Sequence, residues 1–313
     1  MNAAASPPAA DAAGLIVNYN GGAALGRCLD ALRRSDFGER PVLVVDNASR
    51  DDSARAAAAR PGIEVHSSPR NLGFAAGANA GLEKLLARGV DAVLLLNPDT
   101  EVAPGFFAPL QRALAEGAAI AGPKLLLPGK PPRIWSAGGR VTFGLNLALL
   151  EGHRESDHGQ HDRARDVGFL PATAWLVKRE LFEDVGRFDE AFFCYVEDVD
   201  FCVRARAHGH RLRFEPGSVV VHEGSAASGG GYTPLRKYLS ALGAFHLLRK
   251  HGTPARWCRF LASDVATLPF ALAYAALRGR PAAGLWKARG LVDGWRARPF
   301  GGARRAALLG EGA

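Results

Sequence analysis

The chain has 313 residues, 48% of them hydrophobic and 22% charged, and this composition excludes a chain that is disordered as a whole. Its formal net charge of +8 is unevenly placed, because the segment from Tyr232 onward carries 14 Lys and Arg against 3 Asp and Glu. The residues before it are slightly acidic, which argues against a nucleic-acid-binding core, and we expect no nucleic-acid partner.

Apolar strands and amphipathic helices alternate through the first hundred residues. Four strands are predicted, at 14–17, 42–45, 63–66 and 92–96. Apolar residues recur at helical spacing between them, from Leu25 to Leu32 and over 74–86. Strands that are largely apolar and separated by helices are typical of a parallel sheet covered on both faces. The sequence therefore predicts the α/β class with a Rossmann-like, mostly parallel sheet.

The rest of the chain is predicted to mix short strands with helices. Residues 123–165 are rich in Pro, Gly and charge, which indicates loops with short strands. The further predicted elements are helices at 180–185, 197–208 and 235–248, and a strand at 218–224. We predict three parts, namely a flexible tail at 1–12, an α/β domain at 13–230 and a basic amphipathic helical segment at 231–313.

Cysteine usage and the N-terminal residues favour the cytoplasm. The four Cys residues form no CxxC pair and match no zinc spacing, so we expect them to be reduced. The first residues lack the charged start and the apolar stretch of a signal peptide. No run of about 18 apolar residues is present, and we therefore predict no transmembrane helix.

Polar residues follow three of the predicted strands at the point where each strand ends. They are 18–20, 46–47 and 97–99. In open parallel sheets, ligands bind beyond the carboxyl ends of the strands. The three clusters therefore indicate one shared crevice.

Asp99 is the predicted carboxylate ligand of a divalent cation, Mg²⁺ or Mn²⁺. It lies in LLLNPDTEV at 94–102, directly after an apolar strand. Hard cations prefer oxygen ligands, and a cation there would face a diphosphate. His222, at the end of the predicted strand 218–224, adds one imidazole nitrogen. The alternative is an Asn-Pro-Asp turn before a helix, with a purely structural histidine.

Glu197 and Asp198 form an acidic pair among aromatic residues. Apolar surroundings raise the pKa of a carboxylate and suit it to general-base catalysis. The aromatic faces of Phe193 and Tyr195 offer a surface on which a sugar can stack. The alternative is that both acids begin a helix, where negative charge is favoured by the helix dipole.

Two further segments suit a nucleotide. Asp46 ends a strand, where its carboxylate can accept a hydrogen bond from a pyrimidine N–H, although an Asx turn is the alternative. Residues 71–82 read NLGFAAGANAGL, and such small residues permit close backbone approach or, alternatively, tight helix packing. The segment lacks GxGxxG spacing, so a nicotinamide cofactor is not supported.

Taken in order, these motifs resemble the family 2 glycosyltransferases, particularly the rhamnosyltransferase-like branch. The segments that carry the resemblance lie at 16–20, 44–53, 71–82, 94–102, 186–210 and 219–226. The resemblance implies the GT-A fold and an inverting hexosyltransferase that uses a nucleotide-diphosphate sugar donor. It also implies a saccharide or lipid-linked acceptor in cell-surface polysaccharide synthesis. The motif carries Asn97 where the family often has Asp, which removes one charge.

The resemblance distributes roles over the candidate residues. Asp198 would be the catalytic base and Glu197 would shape the acceptor side, with Asp99 and His222 holding the metal. The expected donor-binding residues are Asn18, Tyr19, Asn20, Asp46, Asn47, Asn71, Gly73 and Asn97. The expected acceptor-binding residues are Trp175, Phe193 and Tyr195.

The basic segment after 231 suggests an anionic membrane surface as a partner. Its apolar stretch at 265–277 is 13 residues long and contains Pro269, which makes it too short to span a bilayer. Basic flanks and three Trp residues suit helices that lie in the membrane interface, and a packed helical subdomain is the alternative. We expect a cytoplasmic protein on the inner face of the cell membrane.

Two other functions remain open on the sequence alone. A sugar nucleotidyltransferase would carry a Gly-rich basic loop after the first strand, and NYNGGAALGRC at 18–28 has glycines and Arg27. A non-catalytic protein that binds sugar nucleotides would use the same fold without the carboxylates. Nucleotide release from a donor, with and without Mn²⁺, separates both from a transferase.

Overall fold

A computed structural model describes residues 11–144, 146–224 and 232–310. Most of the predicted flexible tail at 1–12 lies outside these residues. Asp11 and Ala12 are ordered, and this part of the prediction is wrong, because the carbonyl oxygen of Asp11 accepts hydrogen bonds from Asp91 and Ala92.

Twelve strands lie within the described residues. They are β1 Ala12–Asn18, β2 Val42–Asp46, β3 Ile63–Ser67, β4 Ala92–Leu96, β5 Thr100–Val102, β6 Ile120–Leu127, β7 Arg133–Ser136, β8 Gly139–Val141, β9 Ala148–Leu150, β10 Arg165–Asp166, β11 Ala174–Lys178 and β12 Leu212–His222. Four of the predicted strands match β1 to β4 closely. The fifth, predicted at 218–224, begins six residues earlier, because β12 runs alongside β6 for most of its length.

The helices surround this sheet and continue beyond it. They are α1 Gly22–Arg34, α2 Ser53–Ala58, α3 Gly73–Ala87, α4 Phe107–Ala115, α5 Arg179–Val185, α6 Glu197–Ala207, α7 Pro234–His251, α8 Pro254–Phe260, α9 Leu268–Leu277, α10 Pro281–Trp295 and α11 Gly302–Leu309. The apolar spacing from Leu25 to Leu32 is confirmed as the buried face of α1. Arg33 and Arg34 end that helix, where positive charge is favoured by the helix dipole.

The central sheet has the strand order β10-β12-β6-β11-β4-β1-β2-β3 in the described part of the chain, with β5 beside β12 and β7 beside β6. Strands β3, β2, β1 and β4 are parallel, and β11 runs antiparallel to both β4 and β6. Buried apolar side chains pack on both faces of the sheet in two separate clusters. The predicted mixed, mostly parallel α/β fold with a C-terminal helical segment is confirmed.

Strand direction brings the candidate residues to one edge of the sheet. The carboxyl ends of β1, β2 and β4 carry Asn18, Asp46 and Asn97. Because β12 is parallel to β6, which runs in the same direction as β4, His222 also lies at this edge. The amino end of the antiparallel β11 reaches the same edge and brings Thr173 to it.

The C-terminal helices contain a longer apolar run than the sequence predicts. Helices α8 and α9 are joined through a π-helical turn at Leu261–Val265 into a run of 24 residues, Pro254–Leu277, with a mean hydropathy of 1.5. Its length and composition suffice for a membrane span, and 17% of its most apolar stretch is buried. The prediction that the apolar stretch is too short to span a bilayer is therefore wrong. Pro269 does not end the helix, because it lies in the first turn of α9, where proline is tolerated.

Candidate functional site

The corner between β1 and β2 is a network of hydrogen bonds around the Asp46 carboxylate. Asp46 accepts from Asn18 Nδ2 at 2.9 Å and from the Ser49 hydroxyl at 2.6 Å. Ser49 also accepts from the backbone N–H of Asn20 at 2.9 Å. Asn20 has a φ of +52°, a left-handed conformation that asparagine tolerates. The network fixes three predicted donor-binding residues, while Tyr19 lies half-buried between two of them.

The loop before α3 joins this corner through Asn47. Its side-chain N–H donates to the carbonyl oxygen of Gly73 at 2.7 Å, and its oxygen accepts from the N–H of Leu72 at 3.2 Å. Asn71 in turn accepts from the N–H of Gly73 at 2.9 Å. The predicted donor-binding residues Asn47, Asn71 and Gly73 are therefore parts of one hydrogen-bonded turn.

Gly73 also fits tightly against the aromatic loop before α6. Its φ of +83° favours glycine, and an added Cβ would clash with the carbonyl oxygen of Phe193 and lie 2.6 Å from its ring. That carbonyl oxygen accepts from the N–H of Ala75 at 3.2 Å. Phe193, Tyr195 and Val196 all have positive φ, which is costly for bulky residues and is typical of functional sites.

Replacing Gly73 with Ala is expected to lower the free energy of unfolding by at least about 3 kcal/mol, because strain and overlap add together. Gly89→Ala is the matched control at the other end of α3. Its φ is +82°, but a Cβ there meets no atom within 4 Å. Strain alone should cost the control about 1–2 kcal/mol. Equal losses for the two variants in denaturant unfolding would show that the contact with Phe193 contributes nothing.

Asp99 and His222 meet at the edge where β5 pairs with β12. The register places His222 opposite Thr100, and His222 Nε2 lies 3.3 Å from Asp99 Oδ1. Both side chains are almost completely buried, and His222 Nδ1 has no hydrogen-bond partner among the described residues. The Trp135 ring packs edge-on against the imidazole at 4.7 Å between ring centroids. The geometry offers one carboxylate oxygen and one nitrogen side by side.

Asp198 lies at the start of α6 with its side chain half-buried. Its Oδ2 accepts from the backbone N–H of Ala172 at 3.3 Å, and its Oδ1 accepts from that of Val199 at 2.8 Å. Burial nevertheless raises the pKa of Asp198 to about 6. Burial and the neighbouring Asp198 also raise the pKa of Glu197 well above its usual range, and Glu197 Oε2 has no partner within the described residues.

A short backbone path connects Asp198 with the Asp99 corner. Ala172, which donates to Asp198, precedes Thr173, whose carbonyl oxygen accepts from the N–H of Asn97 at 2.9 Å. The Asn97 carbonyl oxygen accepts from the hydroxyl of Thr100, the residue after Asp99, at 2.7 Å. This path places the two predicted acidic groups at the same edge of the sheet.

Trp175 does not belong to this surface, and its prediction as an acceptor-binding residue is wrong. Its side chain is completely buried on β11, with its ring stacked at 6.3 Å on Phe188 and 5.9 Å from Phe201. Phe193 and Tyr195 are half-buried in the loop before α6. Arg305 of α11 lies over Phe193 and Arg236 of α7 lies over Tyr195.

The sequence model of the family described as glycosyl transferase family 2 matches residues 15–186. The chain belongs to this family. It is 28% identical over 239 residues to an N-acetylglucosaminyl-diphospho-decaprenol L-rhamnosyltransferase of Mycobacterium tuberculosis, covering 69% of this chain and 76% of the relative. It is 27% identical over 224 residues to a dTDP-rhamnosyl transferase of Shigella flexneri, covering 68% and 72%.

Solved structures support the fold of this family 2 glycosyltransferase. A mannosyltransferase of Pyrobaculum calidifontis with GDP-Man and Mn²⁺ aligns over 96% of this chain and 79% of its own, with a TM-score of 0.53 and 19% identity. GalNAc-T7 with UDP, GalNAc and Mn²⁺ has a TM-score of 0.61 and 15% identity over 78% of this chain. This chain spans about half of GalNAc-T7, since the aligned part is 48% of that protein. The predicted GT-A fold and family 2 membership are confirmed.

Several residues of this candidate site were not predicted. Ser49 follows Asp46 by three residues, and this Asx-turn spacing was a usable signal. Trp135 and Ala172 gave no signal, because their contacts with His222 and Asp198 arise only from strand pairing.

A buried ionic cluster also holds α6, the helix that carries Asp198. Asp200 is fully buried on α6 and accepts at 2.8 Å from Arg204 and from His251, with Lys250 also 2.8 Å away. Burial alone would raise the pKa of Asp200, but the hydrogen bonds from His251 and Lys250 and the charge of Arg204 hold it well below its usual range. Helix α7 is thereby fixed against α6.

Proposed function

We propose that this protein is an inverting glycosyltransferase that transfers rhamnose from a deoxythymidine-diphosphate donor to a hydroxyl of a lipid-linked saccharide. The observation that carries the proposal is the backbone path through Thr173 and Asn97, which brings Asp198 and Asp99 to one edge of the sheet. A donor whose diphosphate lies at Asp99 would present its sugar toward Asp198. Family membership supports the transfer reaction.

Asp198 is the proposed general base. Its half-buried side chain is reachable by an acceptor, and a pKa of about 6 lets it accept a proton near neutral pH. In one in-line displacement, the acceptor oxygen would attack the anomeric carbon as its proton passes to Asp198, and the bond to the diphosphate would break. The configuration at that carbon then inverts. Glu197 is too deeply buried for the same role and would shape the acceptor side.

Asp99 and His222 are the proposed protein ligands of a divalent cation. An adjacent carboxylate oxygen and imidazole nitrogen fit Mn²⁺ well and Mg²⁺ less well, since Mg²⁺ prefers oxygen ligands. Within the described residues no group of three or more His, Cys, Asp or Glu is arranged to hold a metal, so the diphosphate would supply further oxygens. A bound cation supplies charge compensation for the leaving diphosphate.

The donor and acceptor are proposed from the relatives. The Mycobacterium tuberculosis relative is named for L-rhamnose transfer to an N-acetylglucosaminyl-diphospho-lipid, and the Shigella flexneri relative is named for dTDP-rhamnose. In this chain the donor base would lie at Tyr19 and at the Asp46 network. The remaining predicted donor-binding residues line the turn before α3 and the end of β4.

Membrane attachment through the C-terminal helices is part of the proposal. Phe270 and Leu277 are 77% and 88% exposed on α9, while Phe260 and Ala275 of the same helical run are buried against the protein. These two buried residues are about 22 Å apart along the helix, so much of the run lies against the domain. We propose that it lies in the membrane interface on the cytoplasmic side, with basic residues toward anionic lipid.

Leu277→Asp is expected to weaken association with anionic vesicles by about tenfold, because an exposed leucine contributes about 1.5–3 kcal/mol when it is buried. Co-sedimentation measures the bound fraction. Leu149→Asp is the matched control, since Leu149 is 37% exposed on β9, outside the C-terminal segment. Equal binding of all three proteins, or equal binding to neutral vesicles, would contradict the membrane role.

A donor screen with NMR of the product tests the proposed function. We expect release of nucleotide diphosphate from dTDP-rhamnose, stimulated by Mn²⁺, and a product whose anomeric configuration is opposite to that of the donor. Retained configuration would exclude the single displacement. Formation of sugar nucleotide from sugar phosphate and nucleoside triphosphate would favour a nucleotidyltransferase. Binding without turnover of any donor would favour a non-catalytic protein.

A further inference from the structure

The first turn of α7 belongs to a cluster of cations that the proposed mechanism does not use. Arg236 and Lys237 are adjacent there, and Lys287 of α10 is close enough to Lys237 to repel its charge. Arg280, just before α10, donates to the carbonyl oxygen of Tyr232 at 3.1 Å. We call these four side chains, Arg236, Lys237, Arg280 and Lys287, the cationic bridge.

Lys237 is a member of the cationic bridge whose ammonium faces an aromatic ring. Its ammonium lies 4.2 Å from the centroid of the Tyr232 ring, and no carboxylate of the described residues lies within 4 Å of it. The nearby Asp264 is ion-paired with Lys287 instead. Burial, together with the charges of Lys287 and Arg236, lowers the pKa of Lys237. A half-buried ammonium among other cations attracts an anion from solution.

One end of the cationic bridge reaches the catalytic carboxylate. The Arg236 guanidinium lies over the Tyr195 ring, 5.4 Å from its centroid, and Tyr195 is three residues before Asp198. The charge of Arg236 acts on Asp198 directly, since it opposes the effect of burial on the pKa of that carboxyl. An anion on the cationic bridge would therefore lie beside the acceptor side of the reaction.

The other end of the cationic bridge reaches the exposed apolar face of α9. The Tyr232 ring packs edge-on against Tyr274 at 6.1 Å, and Tyr274 is half-exposed on the same helix as Phe270 and Leu277. A surface pocket of about 270 Å³ opens at this end and is lined by Tyr232 and Arg280 among others. Ring contacts at the adjacent residues Arg236 and Lys237 thus link the loop before α6 to the apolar face of α9.

We propose that the cationic bridge binds the diphosphate of a lipid-linked acceptor. The sugar would then extend past Tyr195 to Asp198, and the hydrocarbon chain would pass Tyr274 toward the membrane. Charge complementarity favours a diphosphate, because two phosphates match several adjacent cations, and the apolar face favours an attached lipid chain. The inference rests on the proposed function and adds the chemical class and the location of the acceptor anchor.

Lys237→Gln tests the proposal. Lys84→Gln is the matched control, because Lys84 lies on α3 about 16 Å along the helix from Gly73 at its start. Two acceptors are compared in the full-length protein, a short-chain alkyl N-acetylglucosaminyl diphosphate and an alkyl N-acetylglucosaminide without phosphate. We expect Lys237→Gln to raise KM for the diphosphate acceptor about tenfold or more, since contacts between charged groups are strong. Turnover at saturation, hydrolysis of the donor by water and KM for the glycoside should not change.

Calorimetry with dodecyl diphosphate tests the site without turnover. Wild type and Lys84→Gln should bind it, Lys237→Gln should bind about tenfold more weakly, and inorganic diphosphate should bind much more weakly to all three. Equal binding of dodecyl diphosphate to the three proteins would overturn the proposal, and so would equal affinity of wild type for inorganic and dodecyl diphosphate. If the donor turns over but the enzyme shows no preference for the diphosphate acceptor, the anchor is overturned and the transferase assignment stands. If dodecyl diphosphate binds but no donor turns over, the binding site stands and the transferase assignment is overturned.

Discussion

Replacing Asp198 with Asn is expected to lower turnover by about 10²–10⁴-fold while the affinity for donor stays within about twofold, because general-base catalysis contributes a factor of that size. Asn keeps the shape of the side chain, and its one amide oxygen can still accept from Val199 at the start of α6, while its NH2 group replaces the oxygen that accepts from Ala172. Steady-state kinetics give the turnover, and calorimetry gives the donor affinity. The pH profile of the wild type should rise through about 6, where Asp198 loses its proton.

The same substitution should remove the pH-dependent loss of stability that ionisation of Asp198 causes in the folded protein. Burial raises the pKa of Asp198 from 3.8 to about 6, so the folded state binds its proton more tightly than the unfolded state. Stability therefore decreases as pH rises from about 4 through 6, and the cost remains at higher pH. Asn carries no charge and avoids this cost, so the Tm difference between the variant and the wild type should grow with pH.

Asp184→Asn is the control for both effects, because Asp184 is an exposed carboxylate at the end of α5 that pairs with His208 and His210. This control should leave turnover unchanged. It should also not produce a Tm gain over the wild type that grows with pH. Wild-type turnover in Asp198→Asn would remove this residue from the mechanism. A loss of turnover with a Tm difference that does not grow with pH would indicate a structural carboxylate instead of a poised base.

The parts of the site that lie at strand ends were predictable from the sequence. The carboxyl ends of parallel strands lie at one edge of a sheet, so Asp46, which ends β2, and Asp99, three residues after β4, had to share that edge. Asp198 was predictable for a different reason, since it begins a helix directly after an aromatic loop. The pairing of Asp99 with His222 depends on β12, a strand recognised only at its end.

The errors arose where tertiary packing decides the outcome. Trp175 lies on β11, which is a central strand between β4 and β6, so both of its faces are covered. A single strand pattern does not reveal its neighbours in the sheet. Pro269 was interpreted as a limit on helix length, but proline in a first turn lacks only an N–H that has no intrahelical partner. No signal in the sequence indicates that Lys237 lies among other cations, because this position depends on the packing of α7 against α10.

Replacing Asp99 with Asn is expected to abolish most of the Mn²⁺-dependent gain in donor affinity, a loss of about 10²-fold. A carboxylate ligand contributes several kcal/mol to a cation that bridges to a diphosphate, and each 1.4 kcal/mol corresponds to a tenfold change in affinity. Asn preserves the shape of the residue, and the backbone bond from Glu223 to the Asp99 carbonyl oxygen is unaffected. Calorimetric titration of donor with Mn²⁺ and with a chelator measures the difference.

Glu101→Gln provides the comparison that separates metal binding from general electrostatics. Glu101 is an exposed carboxylate two residues from Asp99, and it pairs with Arg27 and not with His222. Both variants lose one negative charge at the same edge of the sheet, so a long-range effect on the donor diphosphate would be similar in the two. Only Asp99→Asn should make donor affinity independent of Mn²⁺. An equal loss with and without the cation would mean that Asp99 supports the fold of the edge, and an unchanged response to Mn²⁺ would mean that the cation is held elsewhere.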